Sequence, residues 1–159
     1  MWPLIADLYT PLLALLVCWV AYQRHYLKPA FVMLLVNIAL VFAFSALEFK
    51  FGFWHSWGLD YSTHTAVLLP FYQMLLILPL LPVRDSSVKG SVRLPVKAFM
   101  ALIVALVSGI GYGILMMQLG YHTFADILTT LISTYPLVWI CFHLLGFIFR
   151  QSPQVQEVT

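Results

Sequence analysis

Five apolar runs, each long enough to cross a lipid bilayer, are the feature of this sequence that most limits its fold. A helix of about 20 apolar residues spans the ~30 Å hydrocarbon core of a membrane, and the runs occupy residues 4–22, 29–47, 65–83, 98–119 and 124–149. Their backbones must be helical, since lipid offers no partner to an open N–H or C=O group. Only 9% of the residues are charged, whereas a soluble domain carries about 25%. We therefore expect an all-α, polytopic membrane helix bundle with about five transmembrane helices.

Lysine and arginine residues lie almost entirely on one side of this predicted bundle. Seven of the eight follow the first, third or fifth run, and only Lys50 follows the second. The seven are Arg24, Lys28, Arg84, Lys89, Arg93, Lys97 and Arg150. Because cytoplasmic loops carry the excess of positive charge, the N-terminus is expected outside and the C-terminus in the cytoplasm. The predicted organisation is a single transmembrane helical domain at residues 1–150 and a short cytoplasmic tail at residues 151–159.

The sequence also predicts where the aromatic residues between the runs lie and what the polar residues inside the runs bond to. Trp54, Trp57 and Tyr61, in the loop before the third run, are expected to form an aromatic belt at the membrane interface. Polar side chains inside the runs are expected to hydrogen-bond between helices, and these are Asn37, Gln73 and Ser108. Both expectations follow from the preference of such groups for water or for a partner inside the bundle.

Ionisable residues gather at the predicted outer ends of the helices. They come from two segments that are distant in sequence, and they are His55, Asp60, His64, His122 and Asp126. Ionisable groups at membrane depth are costly and indicate a functional site by default. The alternative is that they are ordinary interfacial residues, and topology alone does not decide between the two interpretations.

The spacing within the two segments favours a site. Ser62 lies two residues before His64 at the start of a helix, where free N–H groups and the positive end of the helix dipole favour an anion. His122 and Asp126 are four residues apart at the start of another helix, so both side chains lie on one face. A carboxylate there can accept a proton from one ring nitrogen of the histidine and leave the other nitrogen to act as a base or nucleophile.

These two segments resemble the type 2 phosphatidic acid phosphatase superfamily, which includes the vanadium haloperoxidases. The second motif of that family is Pro-Ser-Gly-His, often followed by Thr-Ala, and residues 61–66 read Tyr-Ser-Thr-His-Thr-Ala. Its third motif is Ser-Arg, five residues, His, three residues and Asp, and Tyr121, His122 and Asp126 match the second half. The resemblance covers roughly residues 50–131.

The chain departs from the family at several positions. The arginine of the third motif would fall at Met116 and its serine at Leu115. The first motif, a lysine followed six residues later by Arg-Pro, has no full match, although Lys50 stands where its lysine would be. Family members usually have six transmembrane helices rather than five.

The resemblance implies a mechanism without a metal or other cofactor. By that mechanism His122 attacks phosphorus and forms a phosphohistidine, Asp126 orients His122, and His64 protonates the leaving oxygen. Ser62 and Lys50 would hold phosphate oxygens. The implied protein is a lipid phosphatase of the bacterial inner membrane whose site faces the periplasm. Its implied partners are membrane lipids, with no nucleic acid.

Three alternatives remain open from the sequence. A non-catalytic relative of the family would bind a lipid headgroup or a partner membrane protein, and Met116 in place of arginine favours it. A metal-dependent membrane hydrolase would hold Zn²⁺ or Mn²⁺. Its ligands would come from His55, Asp60, His64, His122 and Asp126. The last alternative is a plain structural subunit.

Overall fold

The computed structural model describes residues 2–80 and 96–151, and this part of the chain is helical, with no β-strand. The helices are α1 (Trp2–Gln23), α2 (Leu27–Phe51), the short α3 (Phe53–Ser56), α4 (Thr63–Ile77), α5 (Val96–Gln118) and α6 (Phe124–Gln151). A 3₁₀ turn, Leu78–Leu80, continues α4. The basic residues Arg84, Lys89 and Arg93 and the tail after residue 151 lie outside the described residues.

Within the described residues, three helical segments are long and apolar enough to cross a membrane. They are Ala6–Gln23, Leu27–Phe51 and Phe124–Gly146. Two further apolar segments, Thr63–Ile77 and Leu102–Gln118, are shorter. This combination indicates a membrane protein built as a helix bundle, as the apolar runs predict.

Helix α4 lies at the centre of the bundle and packs against α1, α2, α5 and α6. Its side chains are buried on most sides, from Ala66 to Leu75. At its far end, the guanidinium of Arg24 is buried and donates a 3.1 Å hydrogen bond to the carbonyl of Pro79. That contact ties the end of α1 to the end of α4. A central α4 means that residues at its start are surrounded by the ends of the other helices.

Two glycines make the chain reversals that bring the helix ends together. Gly52 has a φ of 62° and follows α2, where its N–H donates to the Glu48 carbonyl. Gly120 has a φ of 73° and separates α5 from α6. L-residues avoid this left-handed conformation, so glycine is the residue that ends each helix with little strain. Both reversals lie at the same end of the bundle as the start of α4. We call this end of the bundle the histidine end.

Interhelical hydrogen bonds form at two of the three polar positions that the sequence indicates. Gln73 on α4 accepts from the Tyr135 hydroxyl of α6 at 2.9 Å. Ser108 on α5 shares a 2.8 Å hydrogen bond with Tyr9 on α1. Asn37 instead donates to the Met33 carbonyl of its own helix, so the prediction is wrong at that position.

The aromatic residues of the loop before α4 do not form the expected belt. Trp54 and Tyr61 are buried, whereas Trp57 is exposed. The Trp54 and Tyr61 rings meet edge to face at 5.2 Å between centroids. Their polar atoms bond to α6 rather than to water, through Thr129 and Thr134. The belt prediction is therefore wrong for these two residues because α6 offers them hydroxyl partners inside the bundle.

Candidate functional site

The two histidines singled out by the sequence lie side by side at the histidine end. His64 lies in the first turn of α4, and His122 lies in the short loop that leads into α6. Their ring centroids are 5.9 Å apart, with the ring planes tilted by 60°. The structure thus brings together side chains from the two sequence-distant segments. One small group can contact both rings.

The His64 ring is exposed and is bordered by Tyr121 as well as by His122. The rings of His64 and Tyr121 are nearly parallel, at 11°, with centroids 6.3 Å apart. Tyr121 itself is about half exposed. His64 is therefore accessible from outside the bundle, which suits a residue that exchanges protons with a bound molecule.

His122 is the less exposed member of the pair. Its side chain is 9% exposed, and its Nδ1 lies 3.6 Å from Oδ2 of Asp60. Among the described residues, Nδ1 has no hydrogen-bond partner. Burial lowers the pKa of His122 below its usual value, the Asp60 carboxylate opposes that shift, and His64 adds to it. The lowered pKa favours the neutral form of His122, in which a ring nitrogen keeps a lone pair for nucleophilic attack or proton transfer.

Asp126 does not take the place beside His122 that the i, i+4 spacing predicts. Its Oδ1 accepts from the backbone N–H of Asp60 at 2.8 Å. Its Oδ2 accepts from the backbone N–H and the hydroxyl of Thr123, both at 2.7 Å. The Thr123 hydroxyl in turn accepts from the Asp126 N–H at 3.2 Å. Asp126 and Thr123 therefore form a reciprocal cap at the start of α6, and in the described part of the chain neither carboxylate oxygen bonds to His122.

Ser62 also has a structural role. It is 0% exposed, and its hydroxyl accepts from the Thr65 N–H at 3.3 Å as the N-cap of α4. Its own N–H donates to Thr130 on α6 at 2.9 Å. A buried hydroxyl that caps its own helix is not free to grip a phosphate oxygen.

Lys50 and Met116 place no positive charge beside the histidine pair. Lys50 is exposed, and its ammonium lies over the ring of the neighbouring Phe51, 5.5 Å from the centroid. Met116, at the position of the family's third-motif arginine, is 1% exposed and packed in the core. The described contacts of His64 and His122 are with each other, Tyr121 and Asp60.

A polar stripe along α6 fixes the loop before α4, and the sequence interpretation missed it. Asp126, Thr130 and Thr134 are spaced four residues apart and are all buried. Asp126 accepts from the N–H of residue 60 at 2.8 Å, and Thr130 accepts from the N–H of residue 62 at 2.9 Å. The Thr134 hydroxyl shares a 3.0 Å hydrogen bond with the hydroxyl of residue 61. The i, i+4, i+8 spacing of polar residues in an apolar helix is the signal that would have revealed it.

The five-ligand metal site is not formed. Among residues 2–80 and 96–151, no group of three or more His, Cys, Asp or Glu side chains is arranged to hold a metal ion. His55 is exposed on α3, and Asp126 is engaged in capping α6. The ligand set proposed from the sequence is therefore not assembled as a metal site among the described residues.

Comparisons with known proteins return no relative for this chain. No family model, no curated protein sequence and no solved structure matches it. The function is therefore inferred from the geometry of the histidine pair and from the motifs around it.

Proposed function

We propose that this chain is a membrane-embedded, phosphatase-like protein that acts on a lipid phosphate at the outer face of the membrane. In this proposal the five apolar helices all cross the bilayer as one domain. The N-terminus is then outside, the C-terminus is cytoplasmic and the histidine end faces the periplasm of a bacterial inner membrane. Seven of eight basic residues on the cytoplasmic side support this orientation.

The observation that carries the proposal is the pairing of His64 and His122 at 5.9 Å between ring centroids. A phosphoryl group between two imidazoles can be about 3–3.5 Å from a nitrogen of each, the distance of a near-attack geometry. The pair also lies at the starts of α4 and α6, two helices whose N-terminal N–H groups and dipoles favour an anion. The buried, unpartnered Nδ1 of His122 is a second sign that this end of the bundle serves more than packing.

The proposed reaction has two steps in which the histidines exchange roles. In the first, Nε2 of neutral His122 bonds to phosphorus, the bond between phosphorus and the lipid oxygen breaks, and protonated His64 gives its proton to that oxygen. In the second, His64 takes a proton from water, the water oxygen attacks the phosphohistidine, and inorganic phosphate leaves His122. Each histidine ends in its starting state, so the cycle balances.

Charge stabilisation is the weak point of this reaction, and it favours a second candidate. Donors aimed at the charge of the transition state commonly contribute about 3–4 kcal/mol each. Here Met116 replaces the family's arginine in the core, and Ser62 caps α4. A non-catalytic relative that binds a lipid headgroup fits these two observations. We expect any turnover to be slow, because the Asp126 carboxylate already caps α6 and leaves the start of α4 as the main source of anion stabilisation.

Phosphate release from lipid phosphates by the purified protein in nanodiscs tests the proposal. We expect turnover in the presence of a chelator, and its loss in His122→Ala and His64→Ala. His55→Ala is the matched control, because His55 is an exposed histidine outside the pair, and it should retain wild-type activity. Lack of turnover on several lipid phosphates, with binding retained, would favour the headgroup-binding relative. Activity that a chelator abolishes and Zn²⁺ or Mn²⁺ restores would overturn the metal-free mechanism.

A further inference from the structure

The carboxylate beside the reacting histidine belongs to a residue that the sequence motif does not contain. Oδ2 of Asp60 is 3.6 Å from Nδ1 of His122. We infer that Asp60, rather than Asp126, orients His122 by accepting the proton of Nδ1, which leaves the lone pair on Nε2. Asp60 is thus a positioning residue. Its catalytic consequence rests on the proposed function, but the orientation itself does not.

The hydrogen bonds of Asp126 hold its carboxylate in an orientation in which it does not bond to His122. One oxygen faces the N–H of Asp60, and the other faces the N–H and hydroxyl of Thr123. Turning the carboxylate toward His122 would break the cap of α6 and release the loop before α4. Asp126 therefore positions His122 only indirectly, by holding the backbone of Asp60.

The backbone of Asp60 is fixed while its side chain is free to rotate. Its N–H is bonded to Asp126, and the next two residues of the loop are bonded to Thr134 and Thr130. The Asp60 side chain is 74% exposed. The 3.6 Å separation exceeds the usual N–H···O range of about 2.7–3.2 Å by less than 1 Å. In this inference, rotation of the exposed Asp60 side chain closes that gap while the backbone stays in place.

The electrostatic environment of His122 agrees with this assignment. Among the described residues, the charged and titratable groups that act on the pKa of His122 are Asp60, His64 and Asp126. Both carboxylates act to raise the pKa of His122, against the larger effect of burial, and Asp60 does so more strongly than Asp126. Asp60 is thus the stronger partner in charge as well as the nearer in hydrogen-bonding geometry.

Nitrogen NMR of the full-length protein with ¹⁵N-labelled histidine tests the inference without any substrate. The His122 signal is assigned by its loss in His122→Asn. We expect neutral His122 to carry its proton on Nδ1, and Asp60→Ala to reduce that tautomer by about twofold or more, because the acceptor is gone. Asp60→Asn keeps an acceptor oxygen and removes the charge, so the tautomer should persist while the pKa of His122 falls.

The same variants distinguish failure of this inference from failure of the proposed function. Asp60→Ala retains the backbone N–H that bonds Asp126, and an unchanged thermal midpoint would show that the fold is intact. A changed tautomer in a protein that releases no phosphate would support the positioning role and overturn the phosphatase. In an active protein, Asp60→Ala should lower kcat with little change in KM, and Asp60→Glu should restore part of it. A tautomer unaffected by Asp60→Ala, or one that responds to Asp126→Asn instead, overturns the inference.

Discussion

The backbone N–H of Asp60 donates a 2.8 Å hydrogen bond to Oδ1 of Asp126, which joins the loop before α4 to the start of α6. This bond links the two segments that carry His64 and His122. The same carboxylate caps α6 through Thr123. One aspartate therefore sets both the start of a helix and the position of the loop across from it, so the spacing of the two histidines depends on helix capping.

Replacing Thr130 by valine should destabilise the protein by removing one acceptor. The Thr130 hydroxyl is fully buried and accepts from the N–H of Ser62. Valine has nearly the same shape, so the main effect is a buried N–H without a partner, which costs about 1–3 kcal/mol. We expect a lower midpoint of thermal unfolding for the purified protein in detergent.

Ser133→Ala is the matched control for Thr130→Val. In the described part of the chain, the Ser133 hydroxyl donates only to carbonyls of its own helix, at Thr129 and Thr130. Those carbonyls belong to helical residues, so loss of the hydroxyl should change the midpoint little. Equal effects of the two substitutions would show that the bond between α6 and the loop does not contribute to stability.

Acidification should destabilise the folded protein through His122. Burial lowers the pKa of His122 in the folded state below the ordinary value of 6.5. The unfolded state therefore binds a proton more readily, so stability is present above about pH 6.5 and is lost as the pH falls through that value. We expect the midpoint temperature of thermal unfolding to be lower at pH 5 than at pH 8 when it is measured at each pH.

Two variants assign this pH dependence to one residue. His122→Asn cannot titrate and should show a flatter dependence of the midpoint on pH. His55→Asn changes an exposed histidine and should leave the wild-type dependence in place. A His122→Asn profile that matches the wild type would show that other groups cause the loss of stability.

The orientation of the histidine end can be measured by cysteine labelling. The chain has two cysteines, and their replacement by serine gives a background for single cysteines. An impermeant maleimide applied to intact cells should label a cysteine at Ser56, which is exposed beside the histidine end. It should not label one at Ser86, in the basic loop that we expect to be cytoplasmic. The reverse pattern would invert the proposed topology.

The sequence predicts the helices well, and the reason is physical. An apolar run of about 20 residues has few alternatives to a helix in a membrane protein, and each of the five runs overlaps a helix of the structure. The third run, 65–83, overlaps only the 15-residue α4 and its 3₁₀ turn within the described residues. The proximity of His64 and His122 is also predictable from the sequence, because both lie at helix starts on one side of the predicted bundle. Such features depend on local sequence and on topology alone.

The roles of the polar residues near the histidines were not predictable from local spacing. Trp54 and Tyr61 are buried because hydroxyls on α6 accept or share their hydrogen bonds. Ser62 and Asp126 match motif positions, yet both are engaged in helix caps. A cap and a catalytic group draw on the same residue types. Only the tertiary contacts between the loop and α6 distinguish them.

Close packing between α4 and α5 gives the last prediction, which concerns Gly109. A Cβ on Gly109 would clash with the hydroxyl oxygen of Tyr72, whereas one on Gly111 would meet no atom of the described residues within 4 Å. The Tyr72 hydroxyl is also bonded to that of Tyr9, which is bonded to Ser108. Gly109→Ala must therefore displace Tyr72 and strain this chain of hydroxyls, at a cost of about 1–3 kcal/mol. Gly111→Ala should instead be neutral or stabilising by up to about 1 kcal/mol, because alanine favours the helix. Thermal unfolding of both variants in the same detergent measures the difference, and a Gly109→Ala variant as stable as Gly111→Ala would show that α4 and α5 are not in close contact at this position.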